Sequence, residues 1–200
     1  MKYETKKKNR RVQKRNRNKD NKNQKLKMVG LNCAGLSSSK LHSFDKLLTD
    51  IQPGIFFLEE TKMKRIGAIK TPNIQKYQVF ELIRKCSAAG GGLAIGALHN
   101  LNPTWLEEGD DEVEWLSVEI SLINLKIRCV VGYGPQEGAC DDKKRKFLSR
   151  LDLEVAAAQN QGTGIIIQMD GNLWAGPDLI PGDPNIQNNN GKHFERFFGA

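Results

Sequence analysis

Four polar residues each stand where an apolar run gives out: Asn32 after "LKMVGL", Glu60 after "IFFLE", Tyr133 after "IRCVVG" and Asp170 after "IIIQM". A fifth, Asn172, follows Asp170 across a single glycine in "GIIIQMDGNLWAGP". A buried strand seldom ends in a carboxylate, a glycine and an amide unless something polar waits at its tip. If the strands run in compatible directions, their tips converge on one rim, where α/β folds build sites. An asparagine, a glutamate and an aspartate there make an oxygen-rich cluster suited to a hard divalent ion such as Mg²⁺. Such an ion would neutralise phosphate oxygens and the charge that develops on a leaving group. No His/Cys spacing for zinc occurs. Each residue also has an ordinary reading. Asn32 suits a local side-chain-to-backbone bond, Tyr133-Gly134-Pro135 suits a turn, and Asp170-Gly171 suits a hairpin. Their recurrence at one kind of place carries the chemical reading.

The elements that must position them follow from periodicity. "LKMVGLN" (26–32) reads as a strand, and "SKLHSFDKLLTDI" (39–51) as a helix with Leu41, Phe44, Leu48 and Ile51 on one face. Ser39 is the expected cap, and Pro53-Gly54 the stop. "IFFLEET" (55–61) completes a β-α-β unit. Only one of Glu59 and Glu60 can face inward if that strand continues, because successive side chains alternate. Strands are expected over 77–83, 90–98, 113–122 and 125–133. In the last, Leu125, Ile127, Cys129 and Val131 alternate with Lys126 and Arg128, the pattern of a half-buried strand. Ile123-Asn124 is short enough for a hairpin. "DDKKRKFLSRLDLEVAAAQNQ" (141–161) is the strongest helix, with Phe147, Leu151 and Val155 along one side. "GKHFERFF" near the end reads as a short amphipathic helix.

The net charge of +8 is divided unevenly. Residues 1–27 carry a net +11, and the remainder a net −3. That gives a basic tail (1–27), expected to be disordered, ahead of a single slightly acidic domain (28–200). The tail suits phosphate contacts or a nuclear address. No apolar run reaches the roughly 18 residues that a membrane span needs, so no membrane partner is expected. The four cysteines lack disulfide density and read as reduced thiols of an intracellular protein.

In their order, these segments resemble the endonuclease/exonuclease/phosphatase superfamily, in its retrotransposon (non-LTR) endonuclease-like branch. "GLNCAGL" resembles its first motif. "FFLEET" resembles "LQET", with Glu60 at the metal-binding glutamate and Glu59 where glutamine is usual. "GGGLAI" resembles a glycine-rich strand entry, "VVGYGP" the "YxP" segment, and "IIIQMDGNLWAG" the place of "GDFN". Met169 and Gly171 depart from that last motif. The resemblance implies a four-layer α/β sandwich of the deoxyribonuclease-like type. It further implies Mg²⁺-dependent (Mn²⁺ as substitute) phosphodiester hydrolysis, as a DNA-nicking endonuclease of a retrotransposon with a reverse transcriptase encoded downstream. On this reading Glu60 and Asn32 are metal residues, while Asp170, Asn172 and Tyr133 are catalytic. The family's closing "SDH" segment, with its Asp–His pair, finds no match after Asn172. His42, His99 and His193 stand in a helix, a loop and the closing amphipathic segment, poor places for that base. The fold is therefore expected to be incomplete at the C-terminus, with an uncovered sheet edge, and inactive as it stands. Two other readings remain. One is a phosphatase on small or lipid phosphates. The other is a non-catalytic nucleic-acid-binding remnant in which the tail does most of the binding.

Overall fold

A computed structural model describes residues 25–83, 91–109, 113–136 and 138–170. The basic tail up to residue 24, Asn172, His193 and the closing amphipathic segment lie outside the described residues. The elements are β1 (Met28–Asn32), α1 (Ser38–Ile51), β2 (Ile55–Glu59), β3 (Tyr77–Leu82), β4 (Leu93–Leu98), β5 (Pro103–Glu108), β6 (Glu114–Leu122), β7 (Leu125–Tyr133), α2 (Asp141–Gln161) and β8 (Gly164–Asp170). Short 3₁₀ turns at Pro72–Lys76 and His99–Leu101 join β2 to β3 and β4 to β5.

Two four-stranded sheets result, in the orders β1-β2-β4-β3 and β5-β6-β7-β8. Each contains one parallel pair, β1 with β2 and β7 with β8, and its other pairings are antiparallel. A parallel pair needs a crossover, and the two long helices supply it as β1-α1-β2 and β7-α2-β8. The sheets face each other across an apolar layer that includes Ile55, Phe57 and Ile95 from the first, and Val118, Cys129 and Val131 from the second. On the outer face of the first sheet, Phe44 and Leu48 of α1 bury against Phe56 and Leu58. On the outer face of the second, Phe147 and Leu151 of α2 bury against Trp115 and Val130. The layers thus run helix, sheet, sheet, helix, the expected four-layer α/β sandwich. Among the described residues no strand pairs beyond β1 or β8, and Ile165 to Ile167 of β8 stay half-buried.

Several sequence expectations are corrected in detail. The α1 cap is Ser37, not Ser39; its hydroxyl accepts the Lys40 N–H, and Ser39 lies within the first turn. Strand β7 is covered on both faces rather than half-buried. Arg128 is only 8% exposed because α2 lies over it and supplies a carboxylate partner, Glu154. Along α2 the buried stripe runs through Phe147, Leu151, Glu154 and Ala158, so a glutamate takes the place expected for Val155. Strand β5 has no counterpart in the sequence reading. It begins on a proline, sits at a sheet edge and breaks register between Trp105 and Glu107, so alternation is too short to see.

Candidate active site at the strand tips

In a parallel pair both strands end at the same side, so the two β-α-β units fix where the site residues go. Asn32 is level with Glu59 across β1 and β2, and Tyr133 is level with Asp170 across β7 and β8. Both pairs of tips meet at one rim of the sandwich. The Asn32 amide nitrogen donates to Asp170 Oδ2 at 2.8 Å and to Glu60 Oε1 at 3.3 Å. The Tyr133 hydroxyl donates to the same Glu60 oxygen at 3.0 Å. Lys62 Nζ stands 3.4 Å from the other oxygen of Glu60. Residues 138 positions apart in the chain are therefore in direct contact. Asn32, Glu60, Tyr133 and Asp170 are brought together; Asn172 lies outside the described residues.

The backbone at Glu60 explains how the acid reaches this cluster. Strand β2 ends at Glu59, and Glu60 (φ 49°) and Lys62 (φ 52°) adopt left-handed conformations, which side chains other than glycine seldom take. Backbone bonds on both sides hold the segment. The N–H groups of Gly35 and Leu36 donate to the carbonyls of Glu60 and Thr61. The N–H groups of Thr61 and Lys62 donate to the carbonyls of Gly92 and Gly91. Gly92 must be glycine here: its φ is +84°, and an added Cβ would lie 2.6 Å from the Thr61 hydroxyl. The alternation limit on Glu59 and Glu60 is thereby resolved: Glu59 turns into the interior at 2% exposure, and Glu60 turns to the rim.

The two glutamates differ electrostatically. Burial pushes the Glu60 carboxyl up, but the bonds from Asn32, Tyr133 and Lys62 outweigh it and hold Glu60 below its ordinary value. Glu60 is thus anionic at neutral pH. For Glu59, burial and then the nearby Asp170 charge push the carboxyl from 4.5 up to about 7. A group raised on folding contributes its stability in full below 4.5 and loses it as pH rises through about 7. Urea unfolding is therefore expected to show stability falling between those two values in the wild type. Glu59→Gln should flatten that fall, and an equal slope in the variant would refute the assignment. The thiols do not compete for the chemistry: burial pushes Cys33 up to about 11 and Cys129 up to about 12.

A donor set of two carboxylates and one amide fits Mg²⁺, which binds through one or two carboxylates and keeps several waters. The ammonium of Lys62 against Glu60 shows that the site attracts a cation. Among the described residues no group of three or more His, Cys, Asp or Glu side chains gathers, so a fully protein-ligated transition metal has no place. Asn32 departs from its expected part. Its side-chain oxygen already accepts the Ala34 N–H at 3.0 Å, so it presents nitrogen to the two carboxylates and sets their spacing. The local bond open to it in the sequence and its place in the cluster therefore both occur. Of the histidines, His42 is exposed on α1, and His99 follows β4 at the end of the sheet away from the tips. The residues that the sequence reading left out are Lys62 and Gln168, and a lysine or glutamine alone carries no spacing signal.

No protein-family model matches the chain, and no curated protein matches it in sequence. Solved structures do match in fold. An AP endonuclease from Archaeoglobus fulgidus aligns at a TM-score of 0.56 and 19% identity, covering 88% of this chain and 70% of that one. The endonuclease domain of TRAS1, a telomere-specific non-LTR retrotransposon, aligns at 0.57 and 13% identity, covering 86% and 68%. The human Nocturnin catalytic domain with bound sulfate aligns at 0.55 and 13% identity, covering 80% and 62%. This chain thus has the fold of the endonuclease/exonuclease/phosphatase superfamily, whose nuclease-type enzymes are its structural neighbours. It spans 62–70% of the length of these three chains.

Proposed function

We propose that the strand-tip cluster is the metal and phosphate side of a Mg²⁺-dependent phosphodiester hydrolase, a DNA-nicking endonuclease of a retrotransposon. The observation that carries this reading is the direct bonding of Asn32, Glu60, Tyr133 and Asp170 where two facing sheets end. Glu60 and Asp170 would hold the ion, which when bound stabilises charge on the phosphate oxygens and leaving group. Asn32 keeps the two carboxylates apart and oriented. The Tyr133 hydroxyl, now on Glu60, is placed to donate to a phosphate oxygen. Asp170 accepts a hydrogen bond from a water at the rim and orients it, and Asn172 is assigned a phosphate contact from its place in the motif. The site is open to solvent on the side of Lys62, which is 42% exposed.

Neither described histidine lies at the site, so the proton-transfer partner is outside this set of residues. Positioned acid–base groups contribute about 10²–10⁴-fold. The chain of residues 1–200 is accordingly expected to nick supercoiled plasmid feebly or not at all. The same chain lengthened by an Asp–His closing segment should nick with Mg²⁺, and Glu60→Ala should abolish that activity. Failure of the lengthened chain to nick would contradict the function, and robust nicking by residues 1–200 would contradict the missing base.

Nucleic-acid affinity is assigned chiefly to the tail, because the remainder is net negative. Each phosphate neutralised adds about 0.9 to the salt slope of duplex binding. Removing residues 1–27 should flatten the logarithmic salt dependence of DNA binding by several units. An unchanged slope would place the basic contacts in the domain. The reverse transcriptase partner and a nuclear location belong to the same proposal; they rest on the motif order and the tail.

A further inference from the structure

Glu59 has no part in the chemistry above, yet it touches every segment that carries it. It lies on the inner side of β2 with Ile55 and Phe57, at the end of the layer between the sheets. Its carboxylate is hydrogen-bonded by the Gln168 side chain and by the backbone N–H of Asp170, both from the opposite sheet. Its own carbonyl accepts the N–H of Cys33, next to Asn32, at 2.8 Å. Its chain neighbour is Glu60. Gln168 reaches across only because residue 30 is glycine; a Cβ there would lie 2.4 Å from Gln168 Oε1. On the far side, the N–H of Gly134, next to Tyr133, donates to the Asp170 carbonyl at 2.7 Å.

Between the sheets the remaining contacts are largely apolar, and apolar contact is non-directional. It holds the sheets together but leaves their relative sliding loosely defined. Two hydrogen bonds on one carboxylate define it. A purely stabilising role fits poorly, because one oxygen of Glu59 is buried without a partner and the carboxylates of Asp170 and Glu60 are near. An apolar residue in its place would remove both costs.

We propose that Glu59 is a positioning residue, a cross-sheet tie that sets the placement of Asp170 against Glu60 so that one divalent cation can engage both. This rests on the metal reading of the site, and what matters is an acceptor at this place rather than its charge. Glutamine, of the same shape, keeps the acceptor; leucine removes it.

The test compares Glu59→Gln and Glu59→Leu in the full chain by three measurements. These are thermal unfolding, hydrogen exchange of the Asp170 amide without metal, and Mn²⁺ affinity. Glu59→Leu should unfold no lower than the wild type, yet exchange the Asp170 amide about tenfold faster and bind Mn²⁺ about tenfold more weakly. Glu59→Gln should match the wild type in exchange and affinity. Wild-type exchange and affinity in Glu59→Leu would overturn the proposal, as would equal losses in both variants. A wild type that binds no Mn²⁺ would sink the metal reading, and the Asp170 exchange comparison would still decide whether the tie exists.

Discussion

Glu154→Ala is expected to cost about 3–5 kcal/mol of folding stability, the range for removing one partner from a buried charge network. For a chain of this size that lowers the melting midpoint by on the order of 10 °C. The carboxylate is 1% exposed and accepts from Trp115 Nε1 at 3.2 Å, Arg128 at 2.7 Å and Arg150 at 2.7 Å. Without it, two guanidinium groups and an indole N–H lose their acceptor beneath α2, where little water can replace it. Arg150 retains Glu107, at 2.7 Å, but Arg128 keeps only Gln161 at 3.4 Å. The double substitution Glu154→Met with Arg128→Met should recover much of the loss, since an apolar pair of similar volume avoids burying charge. Denaturant unfolding of the three proteins checks both statements. A single-variant loss below about 1 kcal/mol would show that the network is better hydrated than its burial implies.

The same helix shows where the sequence was readable and where it was not. Phe147 and Leu151 announce the covered face of α2 because apolar residues at helical spacing have few other uses. Glu154 and Arg128 read as solvent residues, since charge is normally exposed and only the pairing across 26 positions reverses that. The site behaved differently. Asn32, Glu60, Tyr133 and Asp170 were legible because each interrupts an apolar run, and a polar break in a buried strand has a cost that must be met. Their convergence was legible from two β-α-β orders, each placing its strand ends on one side. Lys62 and Gln168 were invisible, because a lysine in "ETKMKR" and a glutamine in "IIIQMD" differ in no way from surface residues. The inward turn of Glu59 depended on the left-handed backbone at Glu60, and that follows from Gly91, Gly92 and the loop after Asn32 rather than from any local pattern.

Loss of either carboxylate should have the largest effect on metal binding. Glu60→Ala and Asp170→Ala are each expected to weaken Mn²⁺ binding by more than the roughly 10–100-fold typical of losing an outer partner. Tyr133→Phe removes one bond to Glu60 and leaves both carboxylates, so it should fall at the lower end of that range. None of the three should unfold the protein. Asp170 and Glu60 lie at the rim, and removing one relieves repulsion on Glu59. Calorimetric titration with Mn²⁺ beside a thermal melt separates the two effects. Equal affinities for wild type and Glu60→Ala would move the cation away from the strand tips.

The most direct measurement places the ion by its paramagnetism. Substoichiometric Mn²⁺ added to the isotopically labelled chain broadens amide resonances steeply with proximity to the ion. If the strand tips form the metal site, the first amides to vanish are those of Asn32, Glu60, Gly134 and Asp170, from both sheets together, and Asp170→Ala spares them. Broadening centred on the acidic surface at Glu107 and Glu108 or at Asp141 and Asp142, with the four tip amides intact, would contradict a hydrolase site there.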